Sequence, residues 1–276
     1  MRTALIQFTS SDDPADNLDR IRTAIARAAS DGAGFVLTPE VTNCLSTSTT
    51  HQRTVLRPEA EDAMLGALRE QARNLGLWLL IGSLALRTED ADGRFANRSV
   101  LIGPDGDIAA RYDKIHMFDV QVSETETYRE SANFRPGSQA VLADTPFGRI
   151  GMTVCYDLRF PYLYSALAQA GATILTVPAA FSPVTGAAHW QPLLRARAIE
   201  TGCYVLAPAQ TGTHPCSRGR QRSTYGHSLA VSPWGEVLID GGEGPGIHFL
   251  DLDAKAVAEA RRRVPSLTHS RPLDGP

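Results

Sequence analysis

The sequence has few cysteines, no long hydrophobic run and little net charge. Its four cysteines, Cys44, Cys155, Cys203 and Cys216, are scattered along 276 residues. They show neither a disulfide framework nor the paired close spacing of a zinc site, so we expect reduced thiols. No two of the seven histidines have a ligand spacing. We therefore expect no metal and no other cofactor.

The remaining absences concern membranes and nucleic acids. No apolar segment approaches membrane-spanning length, and the apolar run in residues 1–8 is too short for a signal peptide. A net charge of −3 gives no electrostatic reason to expect nucleic acid, and the arginine run 261–263 is too short to change that. These absences predict a cytoplasmic protein that acts on a small uncharged or acidic molecule.

The chain shows no linker, no repeat and no low-complexity segment. With 43% hydrophobic and 21% charged residues it is in the ordinary globular range. We expect one domain over residues 1–276, with residues 263–276 as a C-terminal tail used in oligomer contacts.

Hydrophobic periodicity predicts strands alternating with helices. Helices are expected over 17–30, 58–74, 162–170, 187–201 and 254–263. Strands are expected over 1–8, 35–37, 77–86, 97–102, 108–115, 173–177, 203–207, 226–232, 237–240 and 247–252. The polar segments 118–137 and 211–225 are predicted to be loops. This pattern is typical of a layered α/β domain with mixed sheets.

Cys155 is the candidate nucleophile. It ends the apolar, β-branched run that begins at Gly148 and is followed at once by a predicted helix start. A helix N-terminus would favour thiolate over thiol, and the amide of Tyr156 could point at the same spot. The alternative is a buried cysteine that only fills the end of a strand.

Glu40 and Lys114 are the candidate partners of this thiol. Each follows an apolar strand, and the ends of such strands meet at one crevice in layered α/β folds. A carboxylate can take the thiol proton and pass it to a leaving amine, while an ammonium stabilises the oxyanion. The alternatives are that Glu40 caps a turn and that Lys114 pairs with Asp113.

Several motifs carry a resemblance to the nitrilase (carbon–nitrogen hydrolase) superfamily, and within it to the Nit branch of deaminated glutathione amidases. They are TPE (38–40), YDKIHMFDV (112–120), CYDLRFP (155–161), GAAHW (186–190) and RARAIE (195–200). The Glu–Lys–Cys triad of that superfamily matches Glu40, Lys114 and Cys155, and the match spans nearly the whole chain.

The resemblance implies a four-layer α-β-β-α sandwich with two mixed sheets, paired through helices into a homodimer or higher homo-oligomer. It also implies a second glutamate near the thiol, and Glu130 matches that position, with the role of orienting Lys114 or the attacking water. The alternative for Glu130 is a loop carboxylate in solvent.

Four further residues are candidates for substrate binding. Tyr156 follows the nucleophile, where nitrile-cleaving relatives usually carry tryptophan. Arg159 matches a family position that can meet a substrate carboxylate, and the alternative is an ion pair with Asp157. Thr185 and His189 could line the pocket, with helix capping as the alternative.

The leading hypothesis is a cysteine-dependent amidase that cleaves a non-peptide C–N bond through a thioester, with a small, acidic amide such as deaminated glutathione and water as reactants. The alternatives are another omega-amidase, an N-carbamoyl amide hydrolase, an acyltransferase and a catalytically silent scaffold. No Gly-x-Ser-x-Gly elbow is present, which argues against a serine hydrolase of that type.

Overall fold

A computed structural model describes residues 1–122, 124, 126–271 and 274–275, and this part of the chain forms sixteen β-strands and six α-helices. The strands are β1 (Arg2–Gln7), β2 (Phe35–Leu37), β3 (Trp78–Leu86), β4 (Ala96–Ile102), β5 (Ile108–Asp113), β6 (Asp119–Gln121), β7 (Thr127–Arg129), β8 (Val141–Thr145), β9 (Gly148–Met152), β10 (Ile174–Thr176), β11 (Tyr204–Ala207), β12 (Thr211–His214), β13 (Arg222–Tyr225), β14 (Leu229–Val231), β15 (Val237–Asp240) and β16 (Gly246–Asp251). The helices are α1 (Pro14–Ser30), α2 (Thr49–Val55), α3 (Ala63–Leu75), α4 (Pro161–Gln169), α5 (Pro183–Thr201) and α6 (Ala254–Arg263).

The strands form two six-stranded mixed sheets and two small hairpins. The first sheet has the order β16-β1-β2-β3-β4-β5 and the second has the order β15-β14-β11-β10-β9-β8. In the first, β1, β2 and β3 are parallel to one another; in the second, β9, β10 and β11 are. The hairpins pair β6 with β7 and β12 with β13.

Side-chain alternation along the strands divides the interior into two cores. In β1, Leu5 belongs to the core between the sheets. Ala4 and Ile6 belong to the core between the first sheet and helices α1 and α3, which together form the first half of the protein. In β3, Leu80 belongs to the core between the sheets and Leu79 to the core under α1 and α3. The period of two therefore makes the first sheet hydrophobic on both faces, as a sheet buried on both sides requires.

Helices cover the outer face of each sheet. The first sheet is covered by α1 and α3 through Ile21, Ile25, Leu65 and Leu68. The second is covered by α4 and α5 through Leu163, Leu167, Trp190 and Leu194. The predicted four-layer α-β-β-α sandwich with two mixed sheets is confirmed.

The helix ends follow local chemistry. The carboxylate of Asp13 accepts the amide of Ala15 at 2.9 Å and caps the start of α1. Gly76 ends α3 and Gly202 ends α5, both in the left-handed conformation with φ of 64° and 59°. A residue without a Cβ adopts that conformation at little cost, which explains why the helices stop at these glycines.

Both segments predicted to be loops contain a β-hairpin, so those predictions were wrong. Residues 118–137 include β6 and β7, and residues 211–225 consist largely of β12 and β13. Each of these strands has only three or four residues, and each hairpin pairs only with itself. The apolar alternation that marks a half-buried strand is therefore missing from them.

Three helix predictions also need correction. Helix α2 was not predicted, and α5 begins at Pro183 rather than at residue 187. The single helix expected over 58–74 is a short 3-10 turn, Glu59–Glu61, followed by α3. Asp62 separates them because its carboxylate accepts the amide of Leu65 at 2.8 Å, which starts a new helix.

The C-terminal part folds back onto the body of the protein. Helix α6 has the predicted bounds, and the 3-10 turn Ser266–Thr268 follows it. Residues 272, 273 and 276 of the proposed tail lie outside the described part, and the single domain over 1–276 stays a prediction. No helix in the described ranges is long and apolar enough to cross a membrane.

Candidate active site

Cys155 stands at a sharp turn after the second sheet. Strand β9 ends at Met152, and the 3-10 turn Cys155–Arg159 begins at the cysteine itself. The backbone of Cys155 has φ of 51°, a conformation uncommon for residues other than glycine, and its amide donates to the carbonyl of Pro178 at 2.9 Å. A neighbouring loop thus holds the cysteine in a strained conformation at the base of a cavity.

Glu40 comes from the other sheet, three residues beyond β2. One oxygen, Oε2, accepts the amide of Ala180 at 2.8 Å. The other, Oε1, accepts the ammonium of Lys114 at 3.0 Å and the side-chain amide of Asn97 at 2.9 Å. The side chain is nearly inaccessible to solvent, with 4% exposure for the residue. Its orientation is fixed by these three donors.

Lys114 follows β5 and lies between two carboxylates. Its Nζ donates to Oε1 of Glu40 at 3.0 Å and to the two carboxylate oxygens of Glu130 at 2.9 and 2.8 Å. Its backbone is held on both sides, by the carbonyl of Asn97 and the amide of Gly137. The alternative that Lys114 pairs with Asp113 is therefore wrong, because the ammonium is buried and paired with Glu40 and Glu130.

Glu130 begins the 3-10 turn Glu130–Ala132, which follows the β6–β7 hairpin. Besides Lys114, it accepts the amide of Phe118 at 2.7 Å. The alternative of a loop carboxylate in solvent is thereby excluded. The expected contact with Lys114 is present.

The charges of this cluster set the protonation of the thiol. Burial and the carboxylate of Glu40 raise the pKa of Cys155 well above its ordinary value, and the ammonium of Lys114 only partly opposes them. Burial alone would raise the pKa of Glu40, but the charge and hydrogen bond of Lys114, the hydrogen bond with Cys155 and the charge of Arg222 together lower it. Burial would lower the pKa of Lys114, but Glu130 and Glu40 raise it.

The resting state is consequently a neutral thiol beside an ionised carboxylate and an ammonium. The expectation that a helix N-terminus would favour the thiolate was wrong. The turn after Cys155 is a 3-10 segment of five residues. Burial and the nearby negative charge of Glu40 keep the pKa of the thiol raised. The thiol must therefore lose its proton during the reaction, and Glu40 lies where it can accept it.

A cavity of about 260 Å³ opens over these groups. Its wall combines the charged cluster with aromatic and polar side chains, among them Phe118, Tyr128, Tyr156, Phe181 and Arg222. This volume suits a small molecule rather than a polymer. In the described ranges, no three His, Cys, Asp or Glu side chains lie together as a metal site.

Asp157 is completely buried and connects the two halves behind the cavity. Its Oδ1 accepts hydrogen bonds from the backbone amide and the ring Nδ1 of His116, at 3.0 and 2.6 Å. Its Oδ2 accepts the hydroxyl of Tyr112 at 2.6 Å and the amide of Val154 at 2.8 Å. One carboxylate therefore joins the segment that carries Lys114 to the turn that carries Cys155.

The structure places the predicted substrate-binding residues differently. Tyr156 lines the cavity, whereas the described lining does not include Arg159, Thr185 or His189. Arg159 does not pair with Asp157; its terminal nitrogens lie 3.3 Å from Nδ1 of His189. Its guanidinium also faces the rings of Tyr156 and Phe181 at 5.9 and 5.5 Å, so it lies at the rim.

Thr185 and His189 lie inside α5 rather than before it, and Ser182 occupies the capping position. The capping alternative for these two residues is therefore wrong. Farther along α5, Arg197 donates to Glu200 at 2.9 Å and twice to the carbonyl of Leu158.

Two residues of the site were not predicted. Asn97 donates to both Glu40 and Glu130, at 2.9 and 3.3 Å. The polar start of β4, from Asn97 to Ser99, ahead of its apolar end, is a signal that could have been noticed. Arg222 borders the cavity from β13. Its sequence neighbourhood has no periodic pattern, so no comparable signal exists for it.

Comparisons with known proteins agree with this geometry. The family model "Carbon-nitrogen hydrolase" matches residues 2–262. The chain is 41% identical over 273 residues to a deaminated glutathione amidase of Yersinia enterocolitica. The aligned residues cover 97% of this chain and 92% of that protein. It is 39% identical to a deaminated glutathione amidase of Homo sapiens, over 98% of this chain and 82% of that one.

Two solved structures extend the comparison. The NitFhit protein of C. elegans superposes with a TM-score of 0.90 at 35% identity, over 98% of this chain and 65% of that longer chain. A mutant amidase of Nesterenkonia sp. AN1, in which acrylamide has added to the active-site cysteine, gives a TM-score of 0.77 at 29% identity, over 96% and 98% of the two chains. These matches show that the chain belongs to the carbon–nitrogen hydrolase family and is a cysteine-dependent amidase.

Proposed function

We propose that this amidase hydrolyses a small acidic amide, such as deaminated glutathione, with Cys155 as nucleophile, Glu40 as general base and Lys114 as oxyanion donor. The observation that carries the proposal is the buried contact of Lys114 with both Glu40 and Glu130, next to a neutral thiol. The names of the similar deaminated glutathione amidases support the choice of substrate.

In the acylation step, the sulfur of Cys155 attacks the amide carbonyl carbon while Glu40 takes the thiol proton. The carbonyl π bond becomes an oxyanion, which Lys114 stabilises. Two of the Lys114 contacts go to the same Glu130 carboxylate, so one N–H can turn to the substrate oxygen while both glutamates stay paired. The amide of Tyr156 is the second proposed donor.

Collapse of the tetrahedral intermediate breaks the C–N bond. Glu40 gives its proton to the departing nitrogen, and a thioester with Cys155 remains. A water then attacks the thioester carbon, and Glu40 accepts a proton from it. When the C–S bond breaks, that proton returns to the sulfur, which restores the neutral thiol and the carboxylate. Glu130 is proposed to hold Lys114 in place during both steps.

The test is a substrate screen read by release of the amine or ammonia. It includes deaminated glutathione, omega-amides of short oxo-acids, N-carbamoyl amides and neutral amides. We expect the acidic omega-amides to have the highest kcat/KM and Cys155→Ala to be inactive. Preference for N-carbamoyl amides, or transfer of the acyl group to an amine in place of water, would contradict the proposal.

Cys44→Ala is the matched control for the nucleophile. Cys44 also borders the cavity, and burial, with Asp12 and Asp13, raises its pKa to about 12. Iodoacetamide should add to Cys155 in the wild type and in Cys44→Ala, and both proteins should stay active. Labelling of Cys44 that removes activity while Cys155 stays unmodified would overturn the assignment.

We also propose a cytoplasmic homodimer that pairs through the outer helices of the second half. Several apolar side chains there are exposed: Tyr162 in α4, with Val184 and Ile199 in α5. Exposed apolar side chains of this size often mark contacts between subunits. Light scattering on purified protein should give twice the mass of the chain, and Ile199→Asp should shift it to the mass of one chain.

A further inference from the structure

Arg222 is a partly buried arginine that borders the cavity and has no acidic partner among the described residues. Arg98, for comparison, donates to Asp113 at 2.6 and 2.9 Å and to Glu59 at 2.6 Å. Among the described residues, no carboxylate lies within 4.0 Å of the Arg222 guanidinium, and its buried Nε–H has no hydrogen-bond partner. The charge of this guanidinium is therefore not compensated by a neighbouring carboxylate, although the side chain borders the cavity.

The position of this guanidinium is nevertheless well defined. One terminal nitrogen, Nη2, donates to the carbonyl of Ala180 at 2.6 Å. The ring of Tyr128 lies 5.4 Å away, within the range of a cation–π contact. These two contacts hold the planar group at the cavity wall and leave further N–H groups free. A site that is rigid and partly satisfied is suited to recognise an anion.

Arg222 is also close to the reacting groups. Ala180 donates its amide to Glu40 at 2.8 Å and accepts Arg222 at 2.6 Å through its carbonyl. With ordinary backbone bond lengths, this path puts Nη2 no more than about 10 Å from Oε2 of Glu40. The cation is near enough to contribute to the lowered pKa of that carboxylate, after the larger effects of burial and Lys114.

We propose that Arg222 binds the carboxylate at the far end of the acyl group of an acidic amide. The N–H groups of its two terminal nitrogens can form the paired hydrogen bonds that arginine makes with carboxylates. This inference rests on the proposed function and names its substrate class: omega-amides of four- or five-carbon oxo-acids and dicarboxylic acids. It replaces the expectation for Arg159, which shares a contact with His189 outside the described lining of the cavity.

The first test compares two amides that differ only in charge. Glutaramate carries the carboxylate and pentanamide carries a methyl group in its place. Arg222→Gln should raise KM about 10–100-fold more for glutaramate than for pentanamide, because the binding of a charged group is lost for glutaramate alone. Arg222→Lys should recover part of the loss, since it keeps the charge without the paired geometry.

Arg218→Gln is the matched control, because it removes an exposed cation from the same segment. It should leave both substrates unaffected. An equal loss of glutaramate and pentanamide turnover in Arg222→Gln would overturn the inference and reduce Arg222 to a support for Ala180. A loss for glutaramate in Arg159→Gln, with Arg222→Gln normal, would also overturn it.

A second measurement does not depend on turnover. Glutarate should slow the alkylation of Cys155 by iodoacetamide in the wild type, and Arg222→Gln should need at least about tenfold more glutarate for half protection. If the enzyme hydrolysed none of the acidic amides, the proposed function would fail, but this protection would still test Arg222. Equal protection of the two proteins would reject the role of Arg222.

Discussion

The two halves of the sandwich share a topology but differ in what they contribute to the site. Each six-stranded sheet has three central parallel strands, one antiparallel strand beside them on one side and two on the other. In each half a proline stands two residues after the middle strand: Pro39 after β2 and Pro178 after β10. Glu40 follows the first proline and Ala179 follows the second.

This difference shows that a repeated fold need not carry a repeated function. The first half contributes the carboxylates and the ammonium, and the second half contributes the thiol. The sequence shows no repeat because strand order and apolar alternation can be met by many different residues. The reaction needs Glu40 and Lys114 from the first half and Cys155 from the second in one cavity. Substitutions in either half, or at the contact between the halves, should therefore impair it.

The largest effect is expected from Lys114→Arg, which keeps the charge supplied by the first half. Guanidinium is too broad for the space between Glu40 and Glu130, where Nζ makes contacts of 2.8–3.0 Å. Loss of one oxyanion donor lowers kcat on the order of 10²–10³-fold, and we expect at least that. Lys255→Arg on the exposed face of α6 is the control and should behave as wild type. Retention of most activity would remove Lys114 from the site.

Gly82→Ala should be the most destabilising change at the contact between the halves. A Cβ on this residue of β3 would lie 2.0 Å from the carbonyl oxygen of Thr38 and 2.6 Å from Cβ of Pro178. Because backbone and proline atoms cannot move aside easily, we expect a loss of about 3 kcal/mol in the free energy of unfolding. Urea unfolding measures it.

Gly66→Ala is the matched control for that substitution. Gly66 lies on the exposed side of α3, and a Cβ there would meet nothing within 4 Å. It should stabilise the protein by about 0.5–1 kcal/mol, because alanine favours the helix. If both variants unfold alike, the halves do not meet as closely at Gly82 as described.

Asp157→Asn should weaken the connection behind the cavity. The asparagine side chain has one oxygen and cannot accept hydrogen bonds from all four donors. If the hydroxyl of Tyr112 turns to accept from its NH₂ group, the backbone amide of Val154 loses its partner. One orphaned buried donor costs about 2 kcal/mol, and kcat should fall with it because Lys114 and Cys155 lose a common anchor. Tyr112→Phe removes only one donor and should cost less. An Asn variant with wild-type unfolding would disprove the connection.

The smallest effect concerns His214, which joins the halves at the other hairpin. Its Nδ1 lies 2.7 Å from the carbonyl oxygen of Ser10, and burial, partly opposed by that contact, lowers its pKa from 6.5 to about 4. Between these values the unfolded chain binds a proton that the folded chain does not. Stability is therefore complete above pH 6.5 and falls as the pH drops toward 4, by about 1 kcal/mol between pH 7.5 and 5.5.

Thermal or urea unfolding of wild type and His214→Gln across that pH range measures this contribution as a difference. The carboxylates titrate in both proteins, so their effects cancel. The variant should show a shallower fall in stability between pH 7.5 and 5.5. Parallel curves would mean that His214 takes up its proton equally in the folded and unfolded chains.

The sequence predicted those parts that depend on local pattern. Strand β2 and helix α6 have the predicted bounds, since each combines a clear apolar period with a defined stop. Glu40, Lys114 and Cys155 were recognised because each follows an apolar strand, and the family motifs added Glu130. Their convergence follows from the sheet order, which brings the ends of β2, β5 and β9 to one cavity.

The parts that were missed depend on contacts distant in the chain. The pKa of Cys155 is raised by burial and by Glu40, which is more than a hundred residues away in the chain. Arg222 is positioned by Ala180 and Tyr128, and nothing in its short polar strand indicates this. The β6–β7 and β12–β13 hairpins have no apolar face of their own, so periodicity could not reveal them.

The burial of Lys114 has a practical consequence for chemical modification. The chain has 27 lysines and arginines in total, but only Lys114 and Lys255 are lysines. Lys114 is 2% exposed, which leaves Lys255 as the exposed lysine. Reagents that modify lysine side chains should therefore attach through α6, of which no described residue borders the cavity. Immobilised in this single orientation, the enzyme should keep its active site open to solution.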